Sequence, residues 1–350
     1  MDWNEFYRSV KEGRFERVYL FTGPEELNKR EALAALRRQL LPAGLEQLND
    51  ATLENCSARD IIDAAETLPV MCDRRVVVVR DWGPLTSGKA KNEEADVSAM
   101  LEWMKDAPDT CSLVFYMTVE IDGRKKLAAA LKKLPGYVEF NYLSGALLAK
   151  WCNQRLKAFN KRLTTDAMNE LSMMAGQNLT RISGELKKLA AYTGDAAEIG
   201  VSDVRAVVSP SAEYSVFMIL DHLLEGRLKE ATEVVNSVLR TDGNPVRLIS
   251  MFANQLRIDA HMKYALETGG SMPELLKALN VSEYRSRYIL RQIRPLSAEA
   301  LKERYLHCVE ADYAIKSGKL RDRAALDMLM LKIVMPPKAT NSGYASSNRR

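Results

Sequence analysis

VYLFTGPEELNKREAL, residues 18–33, decides how the rest of the chain is read. Its first five residues read as a buried strand, Gly23 as a turn, and the residues after it as the start of a helix. A nucleotide-binding α/β protein carries its phosphate loop in this order. Against the pattern G-x-x-x-x-G-K-[ST] the chain keeps Gly23 and Lys29, but Asn28 stands at the second glycine and Arg30 at the hydroxyl. Such a loop works because glycines let successive N–H groups point at the phosphates, the lysine reaches the terminal phosphates, and the hydroxyl holds Mg²⁺. Asn28 is tolerable there, since asparagine enters left-handed conformations more easily than most residues. Arg30 cannot ligate a metal. Glu25 and Glu26 add carboxylates beside the cradle. At ~5 Å from one phosphate charge, either would repel it by about 3 kcal/mol at an effective dielectric near 20, unless the side chains turn away. The acidic partner that a hydrolase needs at a neighbouring strand end is thin as well. RRVVVVRDW (74–82) offers Asp81 alone, and CSLVFYMTVE (111–120) reaches Glu120 only several residues late. The loop has the shape of a nucleotide site without its metal chemistry. An ATP-hydrolysing protein of the same fold is the competing reading.

Working outward, strand and helix signals alternate through residues 1–143. After the opening stretch, SARDIIDAAET (57–67) begins with a serine suited to an N-cap and continues as an amphipathic helix. Ile61, Ile62, Ala65 and Leu68 are placed toward the sheet, and Pro69 ends the helix. The run Val76 to Val79 is too continuous for a strand with one wet face and fits a parallel strand covered on both sides. A polar loop (83–96), the helix VSAMLEWMKDA, the strand CSLVFYMTVE, the basic helix DGRKKLAAALKKL (122–134) and YVEFNYL follow. This spacing indicates βαβ units and a parallel α/β domain. Residues 144–211 carry only helical patterns and form a small helical domain, ending in the linker-like SPSAEYS. Residues 212–335 read as long amphipathic helices broken by TDGNP, ETGGSMP and RPLS, with Phe217, Leu220, Leu223, Leu224, Met251, Phe252, Leu256 and Ile258 as core candidates. PPKATNSGYASSNRR (336–350) has no periodicity and is expected to be a disordered tail.

At 350 residues the chain needs two or three domains, and 47% hydrophobic with 27% charged residues is an ordinary globular composition. A net charge of +4 gives no global basic field, so nucleic-acid contacts must come from local clusters. The five cysteines lack any C-x-x-C pair and the three histidines lack ligand spacing, so reduced thiols and no metal site are expected. No apolar run approaches the ~18–20 residues of a membrane span, and the charged N-terminus has no signal-peptide pattern. A cytoplasmic protein with no cofactor is expected.

Taken in order, the VYLFTGPEE loop, AAETLPVMCDRRVVVVRD, ISGELKKLAAYTG, NPVRLISMFANQLRIDAHMK and EADYAIKSGKL resemble the delta subunit of the bacterial DNA polymerase III clamp loader. No single piece is specific, but their order over residues 1–335 is. The resemblance implies an inactive AAA+-like P-loop α/β domain with a parallel sheet, a small helical lid and a C-terminal helical collar. It implies a noncatalytic role, with no ATPase or polymerase site of its own: binding and opening the sliding clamp (beta) so that it can be loaded on primed DNA. The implied partners are tau/gamma and delta prime subunits in a five-membered ring, with primer–template DNA passing through the assembly. A helical adaptor unrelated to replication is a further alternative.

The family's clamp-binding element lies at the end of the helix before the strand that begins near residue 75. Here that position is LPVMCDRR, so the resemblance implies clamp contacts by Leu68, Pro69, Val70, Met71 and Arg74, with Val70 and Met71 as the inserted pair. Met71 departs from the frequently aromatic occupant of the second position. From periodicity alone, Val70 and Met71 could equally plug the gap between helix and strand. Arg124, Lys125, Lys126, Lys132 and Lys133 form the densest basic cluster, with no acid from Gly123 to Leu134. If they share one helical face they could follow a phosphate backbone, and a solvated helix face is the alternative.

Overall fold

Val76 to Val79 lie in the strand Arg75–Arg80, and all four side chains are completely buried. Alternate valines feed opposite layers: Val77 and Val79 join Ile61, Leu113 and Phe115, whereas Val76 and Val78 join Phe6, Phe21 and Leu36. Each such burial contributes about 1.5–3 kcal/mol, and a run with no wet face follows from it. The computed structural model describes residues 1, 3–88, 93–279, 281 and 283–335, and the chain divides into two units.

Unit 1 is Met1–Leu143 together with Asn178–Arg181. Its elements run α1 (Trp3–Lys11), β1 (Val18–Thr22), α2 (Glu26–Leu40), α3 (Glu46–Asn49), β2 (Asp50–Glu54), α4 (Ala58–Glu66), β3 (Arg75–Arg80), α5 (Glu93–Trp103), β4 (Cys111–Tyr116), α6 (Lys126–Leu131) and β5 (Tyr137–Glu139). The five strands are parallel in the order β2-β3-β4-β1-β5, with β1 between β4 and β5. This is the parallel α/β sheet that the alternating strand and helix signals of residues 1–143 imply. The C-terminal end of β1, where the phosphate loop belongs, therefore opens beside the ends of β4 and β5. Helix α4 starts with a reciprocal cap: Ser57 Oγ accepts from the Asp60 N–H at 3.3 Å, and Asp60 Oδ2 accepts from the Ser57 N–H at 2.8 Å.

Unit 2 is Ser144–Gln177 with the described residues from Ile182 onward. Along this part of the chain come α7 (Gly145–Leu156), β6 (Arg162–Leu163), α8 (Thr165–Ala175), α9 (Leu179–Tyr192), β7 (Glu198–Ile199) and α10 (Val201–Val207). The first turn of α9 clusters with unit 1. Seven helices complete the chain: α11 (Ala212–Leu224), α12 (Leu228–Asp242), α13 (Pro245–Thr268), α14 (Met272–Ala278), α15 (Glu283–Ile293), α16 (Ala298–Lys316) and α17 (Asp322–Val334). Their shared core includes Leu220, Leu223, Phe252, Leu256 and Ile258, while Leu224 and Met251 lie at its margin. Buried Arg304 donates to the carbonyls of Ile333 (3.1 Å) and Ala300 (3.0 Å), which binds the end of α17 to α16.

Several expectations need correction. Strand β2 carries no apolar run: DATLE is a half-exposed edge strand, and its two acids hide the β signal. The pair β6 and β7, two residues each, is too short to announce itself. The basic helix shrinks to Lys126–Leu131, because Asp122 and Arg124 are held in a turn before it. Leu68 does not face the sheet, since α4 stops at Glu66. The tail at 336–350 lies outside the described residues.

Candidate functional site

At the end of β1 the glycine turn has the expected shape, with φ +99° at Gly23. Its reason is local: a Cβ there would lie 2.3 Å from the Phe140 carbonyl oxygen. The two segments are laced together, the Phe140 N–H donating to the Thr22 carbonyl at 2.8 Å and the Glu25 N–H to the Phe140 carbonyl at 3.0 Å. Glycine is thus required by the neighbouring backbone of Phe140.

The cradle beyond it holds a carboxylate of its own. Glu25 is buried and caps α2, with Oε1 accepting from the Leu27 N–H at 3.0 Å. Its Oε2 accepts from the Leu179 N–H at 3.4 Å, at the first turn of α9, and the Asn28 N–H points at the same group. An anion surrounded by backbone N–H groups at a helix N-terminus is the arrangement that suits a phosphate. Burial raises the Glu25 carboxyl above the ordinary glutamate value, although the N–H groups oppose this. The expected repulsion between Glu25 and a phosphate is therefore steric as well as electrostatic, for the side chain turns into the cradle.

Lys29 is equally engaged. It is completely buried, Nζ donating to the Met117 carbonyl at 2.6 Å, pairing with Glu26 Oε2 at 3.1 Å and lying 5.4 Å from the Tyr116 ring centroid. The Tyr116 hydroxyl donates to Glu26 Oε1, and burial followed by that bond raises the phenol well above its usual value. Asn28 is buried and Arg30 is exposed. Asp81, at the end of β3, accepts from the N–H (2.6 Å) and hydroxyl (2.5 Å) of Thr118 and from the Val119 N–H (3.3 Å), so it caps the turn after β4.

The segment after α4 has the opposite character. Leu68 is 73% exposed, Val70 43% and Met71 84%. Val70 and Met71 do not plug the gap between helix and strand. Met71 adopts φ +56°, a left-handed conformation unusual for a residue with a side chain. Behind this apolar tip the chain is braced. Arg75 donates to the Thr67 carbonyl at 3.2 Å, Pro69 is half-buried, and Asn49 bonds the Val70 backbone. Arg74 is mostly covered and faces the carbonyls of Phe15 and Glu16 (both 3.4 Å) and Asp109 (3.7 Å), so it supports the tip from behind and is not a free rim charge. The Arg17 hydrogen bond, then Arg17 and Arg74 charge, hold Asp109 below its usual carboxylate value.

The five basic residues do not form one face. Arg124 is forked onto Asp122 at 2.9 and 2.8 Å, and Lys125 pairs with Glu93 at 2.7 Å and with the Gly88 carbonyl at 3.1 Å. Lys126, Lys132 and Lys133 stay exposed. Acids adjacent in space or just outside the run, invisible within it, neutralise the other two. Sequence reasoning also missed Glu25 as an internal ligand, which the acid at a helix start could have signalled. It missed Asn49, 21 residues from Val70, for which no local signal exists.

Comparison with known proteins accords with this geometry. Residues 19–141 match the family model described as DNA polymerase III, delta subunit, and residues 213–333 match that of the DNA polymerase III delta subunit, C-terminal domain. The two matches together span more than two thirds of the chain. The chain is 27% identical over 344 residues to DNA polymerase III subunit delta of Bacillus subtilis (strain 168), covering 97% of this chain and 99% of that one. Among solved structures, the Bacillus subtilis DNA clamp loader delta protein (YqeN) is similar at TM-score 0.61 and 25% identity, over 95% of this chain and 99% of that chain.

Proposed function

This chain belongs to the DNA polymerase III delta-subunit family, and on that premise we propose that it is a noncatalytic clamp-loader subunit that binds the sliding clamp and holds it open for loading on primed DNA. The observation that carries this reading is the apolar tip: Val70 and Met71 stand outward on a segment whose backbone is fixed from behind. Burying both in a partner is worth about 3–6 kcal/mol in transfer terms. Association costs of similar size mean that these anchors need a rim of further contacts, and exposed Leu68 adjoins them. Opening works by differential affinity, the bound tip favouring an open or distorted clamp over the closed one.

The cradle supports a noncatalytic role. Glu25 lies where a phosphate would, Lys29 is directed at protein groups, and Asp81 is directed at a turn. Nucleotide binding and hydrolysis then fall to other subunits of the ring, tau/gamma, with delta prime completing five. Apolar side chains on α16 (Leu306, Val309, Tyr313), on α17 (Met328, Leu331) and just after it (Met335) remain exposed. They are our candidates for contacts with neighbouring ring subunits, and this assigns the collar role to residues 212–335 and the lid role to residues 144–211. Contact with primer–template DNA in the assembly narrows to Lys126, Lys132 and Lys133.

Titrating the chain against the sliding clamp of its own organism tests this function. Met71→Asp and Val70→Asp are each expected to weaken binding at least about tenfold, or 1.4 kcal/mol, with thermal stability unchanged. Equal affinity in wild type and both variants would move the contact elsewhere.

A further inference from the structure

The tip does not hold its shape through its own sequence. Asn49, completely buried at the junction of α3 and β2, reaches across to it with both ends of its carboxamide. Its Oδ1 accepts from the Val70 N–H at 2.7 Å, and its Nδ2 donates to the Val70 carbonyl at 2.9 Å and the Leu45 carbonyl at 3.2 Å. The parallel ladder between β2 and β3 begins at Asp50 and Val76. One residue earlier, the asparagine side chain serves as an extra peptide group and continues the pairing into the loop. Two donated bonds and one accepted bond satisfy both ends of the carboxamide, as a buried amide requires.

This brace has work to do. Met71 follows immediately with φ +56°, a backbone conformation disfavoured for any residue bearing a Cβ. An exposed segment containing such a residue, unsupported, would sample many other conformations. Val70 is fixed immediately before Met71, and the Arg75 bond to the Thr67 carbonyl closes the segment across the tip, which leaves Met71 few alternatives.

We infer that Asn49 is a positioning residue for the partner contact, presenting Val70 and Met71 already in their binding conformation. The inference rests on the clamp-binding reading of the tip. A partner that captures only the competent conformation sees an affinity reduced by the fraction of molecules in that conformation. Loss of the brace therefore acts on association and leaves the contact, once made, as it was.

The test is binding kinetics of the full chain on immobilised sliding clamp, with Asn49→Ala beside Met71→Asp and a core control, Val78→Ala. Asn49→Ala is expected to lower the association rate about tenfold with the dissociation rate nearly unchanged, and to speed amide exchange at Val70. Val78→Ala, destabilised within β3 and away from the tip, is expected to keep both rates. Should alanine at 49 fail to fold, Asn49→Ser carries the same comparison. If Met71→Asp loses binding while Asn49→Ala keeps its association rate, the positioning role is wrong and the contact reading stands. If Met71→Asp binds as wild type, the contact reading itself fails. Equal losses in Asn49→Ala and Val78→Ala would reduce Asn49 to general stability and overturn the inference.

Discussion

The loop after β1 and the tip after α4 belong to the same unit, yet they treat their side chains in opposite ways. In the cradle, polar groups turn inward and satisfy one another: Glu25 fills an anion site, Lys29 meets a carbonyl and a carboxylate, and Gly23 fits against Phe140. At the tip, apolar groups turn outward, and only the backbone is satisfied from within. The difference teaches how one unit uses two loops. In the first, a helix cap and a close packing contact with Phe140 hold the chain. In the second, a fixed backbone leaves apolar side chains uncovered, which is the feature on which the proposed partner contact rests.

The contrast can be broken first at Gly23. Gly23→Ala places a Cβ against the Phe140 backbone at positive φ, and strain plus overpacking should cost about 3–4 kcal/mol in a denaturant titration. A loss below about 1 kcal/mol would mean that the loop slides away from Phe140, so that the cradle is not locked. A smaller effect of opposite sign is expected at the tip. Met71→Gly removes an unfavourable left-handed side chain and should raise stability by up to about 1 kcal/mol, while clamp affinity falls. If stability and affinity both fell, the tip conformation would not be one held at a cost for binding.

The smallest effect is a slope with pH. Because burial raises the Glu25 carboxyl in the folded state, the native chain holds its proton to higher pH than the unfolded chain. Stability from this group is therefore fully present below the ordinary glutamate value and declines as pH rises through the folded value. Glu25→Gln should flatten that part of the stability profile. A profile identical to wild type would show that Glu25 is hydrated and not seated among the N–H groups of Leu27, Asn28 and Leu179.

Much of this architecture is legible in the sequence, where local chemistry suffices. The valine run, the Ser57 cap and the turn at Gly23 each announce themselves within a few residues. Edge strand β2 does not, because alternate positions Asp50, Thr52 and Glu54 are polar and the strand exists only through pairing with β3. The proposal that Val70 and Met71 face the clamp rests on family resemblance, since periodicity equally allows them to be buried plugs; their exposure is what the structure adds. Arg74 and Lys125 read as free charges, and their partners Asp109 and Glu93 are supplied by folding, whereas the partner of Arg124, Asp122, stands two residues before it. Glu25 was visible as a carboxylate in the wrong place, but its inward turn depends on Leu179, 154 residues away.

Amide hydrogen exchange of the whole chain, with and without the sliding clamp and with and without Mg-ATP, addresses both regions at once. The expected result is clamp-dependent protection confined to peptides covering residues 67–73, and no change in peptides covering residues 22–30 on adding Mg-ATP. Protection of residues 22–30 by Mg-ATP, or a tip that exchanges equally fast with the clamp bound, would contradict the account.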